Sequence, residues 1–195
     1  LEQYKYSEVD FYQIRDVDRS AEFKNWTDVQ RAGRFIYLNK TCFNGLYRVN
    51  SKGEFNVPFG RYKNPVILDR ENLLACSKAL EQAKVVCAPF DQVEHEAQEG
   101  DVVYFDPPYA PVSRTANFAA YHSEGFTLAD QEKLRDLCGR LHAKGVYFLV
   151  SNSSTEVILD LYKAYSVRTV NAARSINSRG DRRGKVEEVI VSNSF

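Results

Sequence analysis

At 195 residues with 44% hydrophobic content, the chain can bury one substantial core and a small appended module. No stretch approaches the ~20 apolar residues of a membrane span, and residues 1–15 are polar and acidic rather than signal-like, so a membrane or exported protein is not expected. Bases and acids balance at 26 each, which excludes a uniformly basic or acidic protein and leaves the distribution of charge to be read.

Along the chain, Thr27 and Gln30 have capping-box spacing and open an amphipathic helix to residue 39, with Val29, Ala32, Gly33, Ile36 and Tyr37 on one face. Asn50-Ser51-Lys52-Gly53 supplies turn chemistry between 45–49 and 54–59, predicting a β-hairpin over 45–59. Asp69 caps a further helix carrying Leu73, Cys76, Leu80 and Ala83 in one stripe. Strands and helices then alternate. A short strand is expected at 84–87, then an acidic helical turn, then a buried strand at 102–105. Thr127 and Asp130 form a second capping box, opening a helix that turns Leu134, Leu137 and Leu141 inward and ends at Gly145. Residues 146–150 read as an apolar strand covered on both faces, followed by a helix at 155–165 and strands at 167–170 and 186–191. This order predicts an α/β fold whose sheet is mostly parallel, with an antiparallel final hairpin.

The charges are unevenly placed. Residues 31–63 carry seven Lys/Arg against Glu54 alone, residues 163–185 seven against Asp181 alone, and residues 69–101 eight acids against three bases. Two basic stretches on an acidic body suit a face turned to nucleic acid, or else two solvated charged surfaces. Cys42, Cys76, Cys87 and Cys138 are widely spaced, and His95, His122 and His142 do not cluster. These predict a reduced, cytoplasmic protein without a metal. The chain has no methionine, even at its start, and is expected to begin inside a longer polypeptide.

Ligands in open α/β sheets bind at the carboxyl ends of strands. Three polar stretches meet that rule, 88–91, 106–109 and 151–153, and describe one edge of a cleft. The most informative is Asp106-Pro107-Pro108-Tyr109. Proline fixes φ and lacks an N–H, so the stretch forms a rigid slot for a planar amino group. Asp106 and the Pro107 carbonyl would accept its two hydrogens, and the Tyr109 ring would stack on the attached base. The plainer alternative is a turn that ends a strand.

Further matching stretches are Phe35-Ile36-Tyr37-Leu38-Asn39, Asn44-Gly45-Leu46-Tyr47-Arg48, Gly53-Glu54-Phe55-Asn56-Val57-Pro58-Phe59-Gly60-Arg61-Tyr62, Thr115-Ala116-Asn117-Phe118, Ser151-Asn152 and Arg174-Ser175-Ile176. With these, residues 31 to about 190 resemble the Dam-type (GATC) family of D12-class DNA adenine-N6 methyltransferases. The resemblance implies a partial Rossmann-like, S-adenosylmethionine-dependent methyltransferase sheet with a small helical and β-hairpin target-recognition domain. Residues 1–68 would be the recognition domain and 69–195 the C-terminal part of the catalytic domain.

The resemblance implies double-stranded DNA as partner, a monomer, and S-adenosylmethionine as methyl donor. Arg48 would read a guanine, Leu46 and Pro58 would touch thymine, and Tyr62 would help at the outer base pair. Phe43 and Asn44 would enter the stack beside an extruded adenine; the family often has Tyr where Phe43 stands. Arg61 and Lys63 would contact phosphates, and Arg174 would also face DNA. Phe90, Asp91 and Asp106 would serve the methyl donor. Asp106, Pro107 and Tyr109 would serve the adenine, and Phe118, Tyr121 and His122 would follow on a closing loop, with His122 either a general base or a structural hydrogen-bond partner. A small core under the hairpin is the alternative reading of Leu46, Pro58 and Phe59.

The family's glycine-rich loop and guanine-reading lysine have no match in residues 1–195. Weak or absent donor binding by this chain alone is therefore expected, as is an unprotected sheet edge. Two other readings stay open: a truncated, inactive DNA-binding fragment, and an N-methyltransferase for RNA adenine or a protein amide. The latter enzymes usually carry Asn in place of Asp106 and lack the hairpin.

Overall fold

A computed structural model describes residues 1–111, 125–173 and 185–194. Phe118, Tyr121, His122 and Arg174 therefore lie outside the described residues. The chain divides into two compact units, Leu1–Val85 and Val86–Phe195. No helix among the described residues is long and apolar enough to cross a membrane.

In the first unit, α1 (Glu8–Asp16) is capped by Ser7, whose side chain accepts the Asp10 N–H at 3.0 Å. Acidic residues in its first turn and Arg15 in its last suit the helix dipole. α2 (Asp28–Thr41) opens with the predicted capping box: the Gln30 N–H meets Thr27 Oγ1 at 3.3 Å, and the Thr27 N–H meets Gln30 Oε1 at 2.8 Å. Its rotation differs from the expected one. The buried residues are Arg34, Tyr37, Leu38 and Thr41, whereas Val29 is 82% exposed. The rings of Tyr4 and Phe11 pack on Tyr37 and set this face inward. Val29, Ala32, Gly33 and Ile36 instead line an open, mainly apolar cleft shared with Leu68 and Leu73.

α3 (Arg70–Leu80) begins as expected, with Asp69 accepting the Asn72 N–H at 3.1 Å. It buries none of its residues, so its predicted stripe forms no core. The hairpin is present as a turn without a ladder: one isolated bridge, Val49 to Phe55, joins its arms, and a second, Cys42 to Phe59, joins its second arm to the end of α2. Asn50 Oδ1 accepts the N–H groups of Lys52 and Glu54, and Gly53 takes φ 79°, a conformation that favours glycine.

One buried pair ties this unit together. Arg34 donates to Asp18 Oδ2 at 2.7 Å and to the carbonyls of Ile14 and Arg15 at 2.9 and 2.6 Å. The same Asp18 oxygen accepts the Phe55 N–H at 2.8 Å. Thus the turn after α1, the middle of α2 and the second arm of the hairpin meet at the Asp18 carboxylate.

The second unit is a four-stranded sheet, ordered β1-β2-β4-β3, of β1 (Val102–Phe105), β2 (Tyr147–Ser153), β3 (Ser166–Ala173) and β4 (Lys185–Ser192). Only β1 with β2 is parallel; β4 runs antiparallel to both neighbours. The antiparallel final hairpin is as predicted, but the mostly parallel sheet is not, because β4 inserts between β2 and β3. The strand expected at 84–87 does not form: Val85 is 78% exposed, and β1 pairs with β2 alone among the described strands. A strand needs a neighbour to satisfy its backbone, and among the described strands none pairs with 84–87.

A 3₁₀ turn, Phe90–Gln92, leads into α4 (Val93–Glu96). α5 (Leu128–Ala143) opens with the predicted Thr127–Asp130 box and buries Leu134, Leu137 and Leu141. The Thr127 hydrogen bonds, with Lys133 beside them, hold the Asp130 carboxyl down at about 2. Gly145 ends this stretch at φ 76°, where a Cβ would also meet Glu99. α6 (Glu156–Leu161) is shorter than the helix expected at 155–165. The core joins the α5 leucines to Phe148 and Val150 of β2 and to Val189 and Val191 of β4. β1 is not the buried strand expected: Val102 is 66% and Tyr104 58% exposed, with no described element packed over them. β2 is largely buried, as expected, apart from Tyr147 at its start.

Replacing Asp18 with Ala is expected to destabilise the protein by about 3–5 kcal/mol in urea unfolding, because it strands a buried guanidinium and the Phe55 N–H. Asp18→Asn, which keeps an acceptor, should lose less. Equal stability of Asp18→Ala and wild type would contradict this account.

Candidate functional site

The register of β1 on β2 pairs Phe105 with Val150 and so brings the next residues, Asp106 and Ser151, together at the carboxyl ends of the two strands. Ser151 Oγ donates to Asp106 Oδ1 at 2.7 Å. Asp106 itself is exposed, so its carboxylate is oriented through one oxygen while the group remains open to solvent. It does not point into the interior.

The residues that follow have no regular structure, and side chains behind them hold them in place. Gln131 of α5 donates through Nε2 to the Pro108 carbonyl at 3.0 Å. Its Oε1 accepts from Asn152 Nδ2 at 3.1 Å. Asn152 Oδ1 accepts the N–H groups of Ala110 and Ser153 at 3.0 and 2.9 Å, and Ser153 Oγ donates to the Ala110 carbonyl at 2.6 Å. Gln131, Ser151, Asn152 and Ser153 are all buried. Buried polar groups are tolerated only when paired, and this set pairs with itself and with the loop backbone. The stretch 151–153, expected to line the cleft, therefore mainly supports it from behind.

Tyr109 is half-buried. Burial raises its phenol above the ordinary tyrosine value, a hydrogen bond with Ser151 opposes that, and the carboxylates of Glu188 and Asp106 add to it. The ring therefore stays uncharged at neutral pH, as a stacking surface must. Gln131 is the supporting residue that sequence reasoning missed. Its signal was there: a glutamine on the same helical stripe as Leu134, Cys138 and Leu141 is a polar group on an inward face.

Phe90 and Asp91 sit on the 3₁₀ turn before α4. The Phe90 ring packs 5.7 Å from Phe126 against the core of the second unit. Asp91 is exposed, in a shallow cleft of about 250 Å³ shared with Lys133 and Arg140 of α5. Among the described residues no hydrogen bond joins either of them to Asp106. For a nucleoside methyl donor the fit is partial. An aromatic edge and an oriented carboxylate are present, but Gly100 and Gly145, the positive-φ glycines among the described residues of this unit, precede β1 and β2 at the ends away from Asp106. Among the described residues no glycine loop cradles that side.

The first unit gathers the residues expected to read DNA. Phe43, Asn44, Leu46, Arg48, Pro58, Arg61 and Tyr62 are all exposed. The Phe43 N–H donates to the Pro58 carbonyl at 2.9 Å, the Tyr62 hydroxyl to the Cys42 carbonyl at 2.8 Å, and the Gly60 N–H to the Thr41 carbonyl at 2.8 Å. These bonds bring the turn after α2 and the far arm of the hairpin side by side. Asn44 holds φ 54°, a left-handed conformation in which Asn is among the enriched residues. Arg48 is steadied across the hairpin, donating through Nε to Asn56 Oδ1 at 2.6 Å and through Nη2 to the Asn56 carbonyl at 3.1 Å.

A core under the hairpin accounts for Phe59, which stacks with Tyr6 and Phe11, but not for exposed Leu46 and Pro58. The basic stretch 31–63 is thinner at the surface than in the sequence. Arg31 donates to the carbonyls of Phe23, Lys24 and Trp26, and Arg34 is buried on Asp18. Lys40, Arg48, Lys52, Arg61 and Lys63 remain exposed.

The sequence profile of the D12 class N6 adenine-specific DNA methyltransferases matches residues 1–176. The chain is 43% identical over 185 residues to the Type II methyltransferase M1.LlaDCHI of Lactococcus lactis subsp. cremoris, covering 94% of this chain and 65% of that one. It is 41% identical to the Type II methyltransferase M.MjaIII of Methanocaldococcus jannaschii, covering 94% and 64%. To the DNA adenine methylase of Serratia marcescens it is 42% identical, covering 93% and 66%. The chain thus spans slightly less than two thirds of the length of these relatives.

The bond from Gly60 to α2 leaves no room for a side chain, since a Cβ there would lie 2.5 Å from both the Cys42 carbonyl oxygen and the Tyr62 ring. Gly60→Ala is expected to cost about 1–3 kcal/mol in denaturant unfolding. At Gly33 in α2 a Cβ meets nothing within 4 Å, so Gly33→Ala should be neutral or stabilising by up to about 1 kcal/mol. The reverse order of stabilities would refute the close approach at Gly60.

Proposed function

Because the chain belongs to the D12 class of N6 adenine-specific DNA methyltransferases, we propose that it supplies the target-recognition and base-binding parts of an enzyme that methylates adenine N6 in double-stranded DNA, within GATC. Residues 1–68 are the recognition domain and 69–195 the C-terminal part of the catalytic domain. It acts in the cytoplasm as a monomer. The supporting observation is the Asp106 carboxylate, exposed at the end of β1 and steered through one oxygen by Ser151.

An adenine within a duplex has its amino group paired, so the base must leave the stack at a cost of about a few kcal/mol. Phe43 and Asn44, exposed on a strained turn, fill the space beside it. Arg48 presents the donors of its fork left free by Asn56 to a guanine edge, Leu46 and Pro58 meet thymine, and Tyr62 supports the outer base pair. Arg61 and the other exposed bases bind phosphates, which position without specifying sequence; Arg174 is assigned to DNA binding as well.

The amino nitrogen is a weak nucleophile because its lone pair is delocalised into the ring. Asp106, through the oxygen that Ser151 does not occupy, and the Pro107 carbonyl accept its two hydrogens. Both acceptors draw the nitrogen towards tetrahedral geometry and hold its lone pair in line for transfer, while Tyr109 stacks on the ring. Alignment and electrostatics of this kind supply the acceleration without a covalent enzyme intermediate. S-adenosylmethionine, when bound, supplies the electrophilic methyl group. Phe90, Asp91 and Asp106 are this chain's residues towards it. The partial fit on that side favours a second reading for the chain by itself, a DNA-binding fragment that does not transfer methyl.

The test is transfer of labelled methyl to GATC duplexes by the full-length protein and by the chain alone. Transfer by the full-length protein, lost in Asp106→Ala with duplex binding retained, is the expected result. Transfer undiminished in Asp106→Ala would refute it. Arg48→Ala is expected to reduce discrimination against altered guanine positions by ~1–3 kcal/mol, read as the ratio of methylation rates on cognate and altered duplexes. An unchanged ratio would remove Arg48 from recognition.

A further inference from the structure

We infer that Gln131 is a positioning residue for methyl transfer, holding the Pro108 carbonyl and Asn152 from behind so that the Pro107 carbonyl and the Tyr109 ring stay aimed at the adenine amino group. This rests on the catalytic reading of Asp106–Tyr109 and adds to it a residue on α5 that touches no substrate.

The argument begins with what can still move in the loop. Pro107 and Pro108 have fixed φ, so the remaining freedom is in the ψ angles and in swinging the whole segment about the end of β1. Three tethers remove it. Asp106 is held through its side chain by Ser151, Pro108 through its carbonyl by Gln131, and Ala110 through its N–H by Asn152 and its carbonyl by Ser153. The tethered residues alternate with Pro107 and Tyr109, whose carbonyl and ring are the groups assigned to the base.

Gln131 is the link between two of these tethers. Its amide nitrogen serves Pro108, and its amide oxygen takes the Asn152 proton that keeps the Asn152 carbonyl turned to Ala110. Pro108 is exposed whereas Gln131 is buried. Water can therefore replace Gln131 at the Pro108 carbonyl, but water cannot hold the carbonyl in one direction. Losing the buried acceptor for Asn152 as well costs stability, so the loss of aim is read in the rate of the folded variant.

The variants are Gln131→Met, which keeps volume and removes both hydrogen bonds, and Gln131→Glu, which keeps the shape and the acceptor for Asn152 but presents an oxygen to Pro108. They are compared with wild type and Asp106→Ala in the full-length protein. The readouts are first-turnover methylation of a GATC duplex, duplex affinity, and the fluorescence of 2-aminopurine at the target position. The expected result is a first-turnover rate constant lower by roughly 10- to 100-fold, as for other small misplacements of reacting groups. First-turnover amplitude, duplex affinity and the fluorescence of the extruded base should stay as in wild type. Should Gln131→Met fail to fold, Gln131→Glu carries the same expectation at a pH high enough to ionise its carboxyl, because the protonated acid would donate to the Pro108 carbonyl and restore the tether.

A wild-type rate constant in the folded variants overturns the inference, and so does a loss of amplitude at an unchanged rate constant, which would mark a merely structural role. A wild-type enzyme that leaves adenine unmethylated, or an Asp106→Ala variant that methylates normally, overturns the catalytic reading itself, and the inference with it.

Discussion

The loop from Asp106 to Ala110 has no secondary structure to stiffen it, so its shape depends on hydrogen bonds that reach it from buried side chains of β2 and α5. Everything proposed about chemistry requires that loop to be rigid. An amino group must find two acceptors and a ring face at fixed separations, and tenths of an ångström matter to such alignment. The parallel pairing of β1 with β2 is what makes the support possible. It sets Ser151 beside Asp106 and leaves Asn152 and Ser153 to meet Ala110. A polar cluster inside the core is costly unless every member is satisfied, and here the loop's own backbone completes it. Support and site are thus one hydrogen-bonded unit.

The first unit uses charge in a similar way. Two arginines counted as part of a basic stretch turn out to act internally, Arg34 on Asp18 and Arg31 on three backbone carbonyls. Arginine can satisfy several acceptors at once from one planar group, which suits a hairpin without a ladder of its own. The hydrogen bond from the Phe55 N–H to Asp18 holds that hairpin's second arm, while its outer surface keeps Arg48, Leu46 and Pro58 free of the core. Buried and exposed charges are interleaved in sequence and separated in space.

The second unit shows where alternation patterns mislead. An α/β succession suggests parallel strands, but β4 folds back between β2 and β3 and makes two of the three pairings antiparallel. The apolar run at 102–105 suggests a buried strand, but burial depends on which elements are at hand. Val102 and Tyr104 show one open face. For the same reason 84–87 has strand composition without being a strand: composition proposes a conformation, and a hydrogen-bonding neighbour decides it.

Local chemistry was readable from the residues. The two capping boxes, the Asp69 cap, the turn at Asn50–Gly53, the leucine stripe of α5 and the stop at Gly145 each need only neighbours within a few positions. The strand end carrying Asp106-Pro107-Pro108-Tyr109 was readable too, since proline and a strand-terminal carboxylate impose their geometry locally. Tertiary structure alone decided the rotation of α2, where the rings of Tyr4 and Phe11 select the face that buries Arg34. It also decided the strand order of the sheet and the part played by Gln131, which meets Pro108 and Asn152 across 23 and 21 residues of chain. Periodicity reports which side chains share a face. It carries no information about which distant group that face will meet, and that meeting is what the packed core supplies.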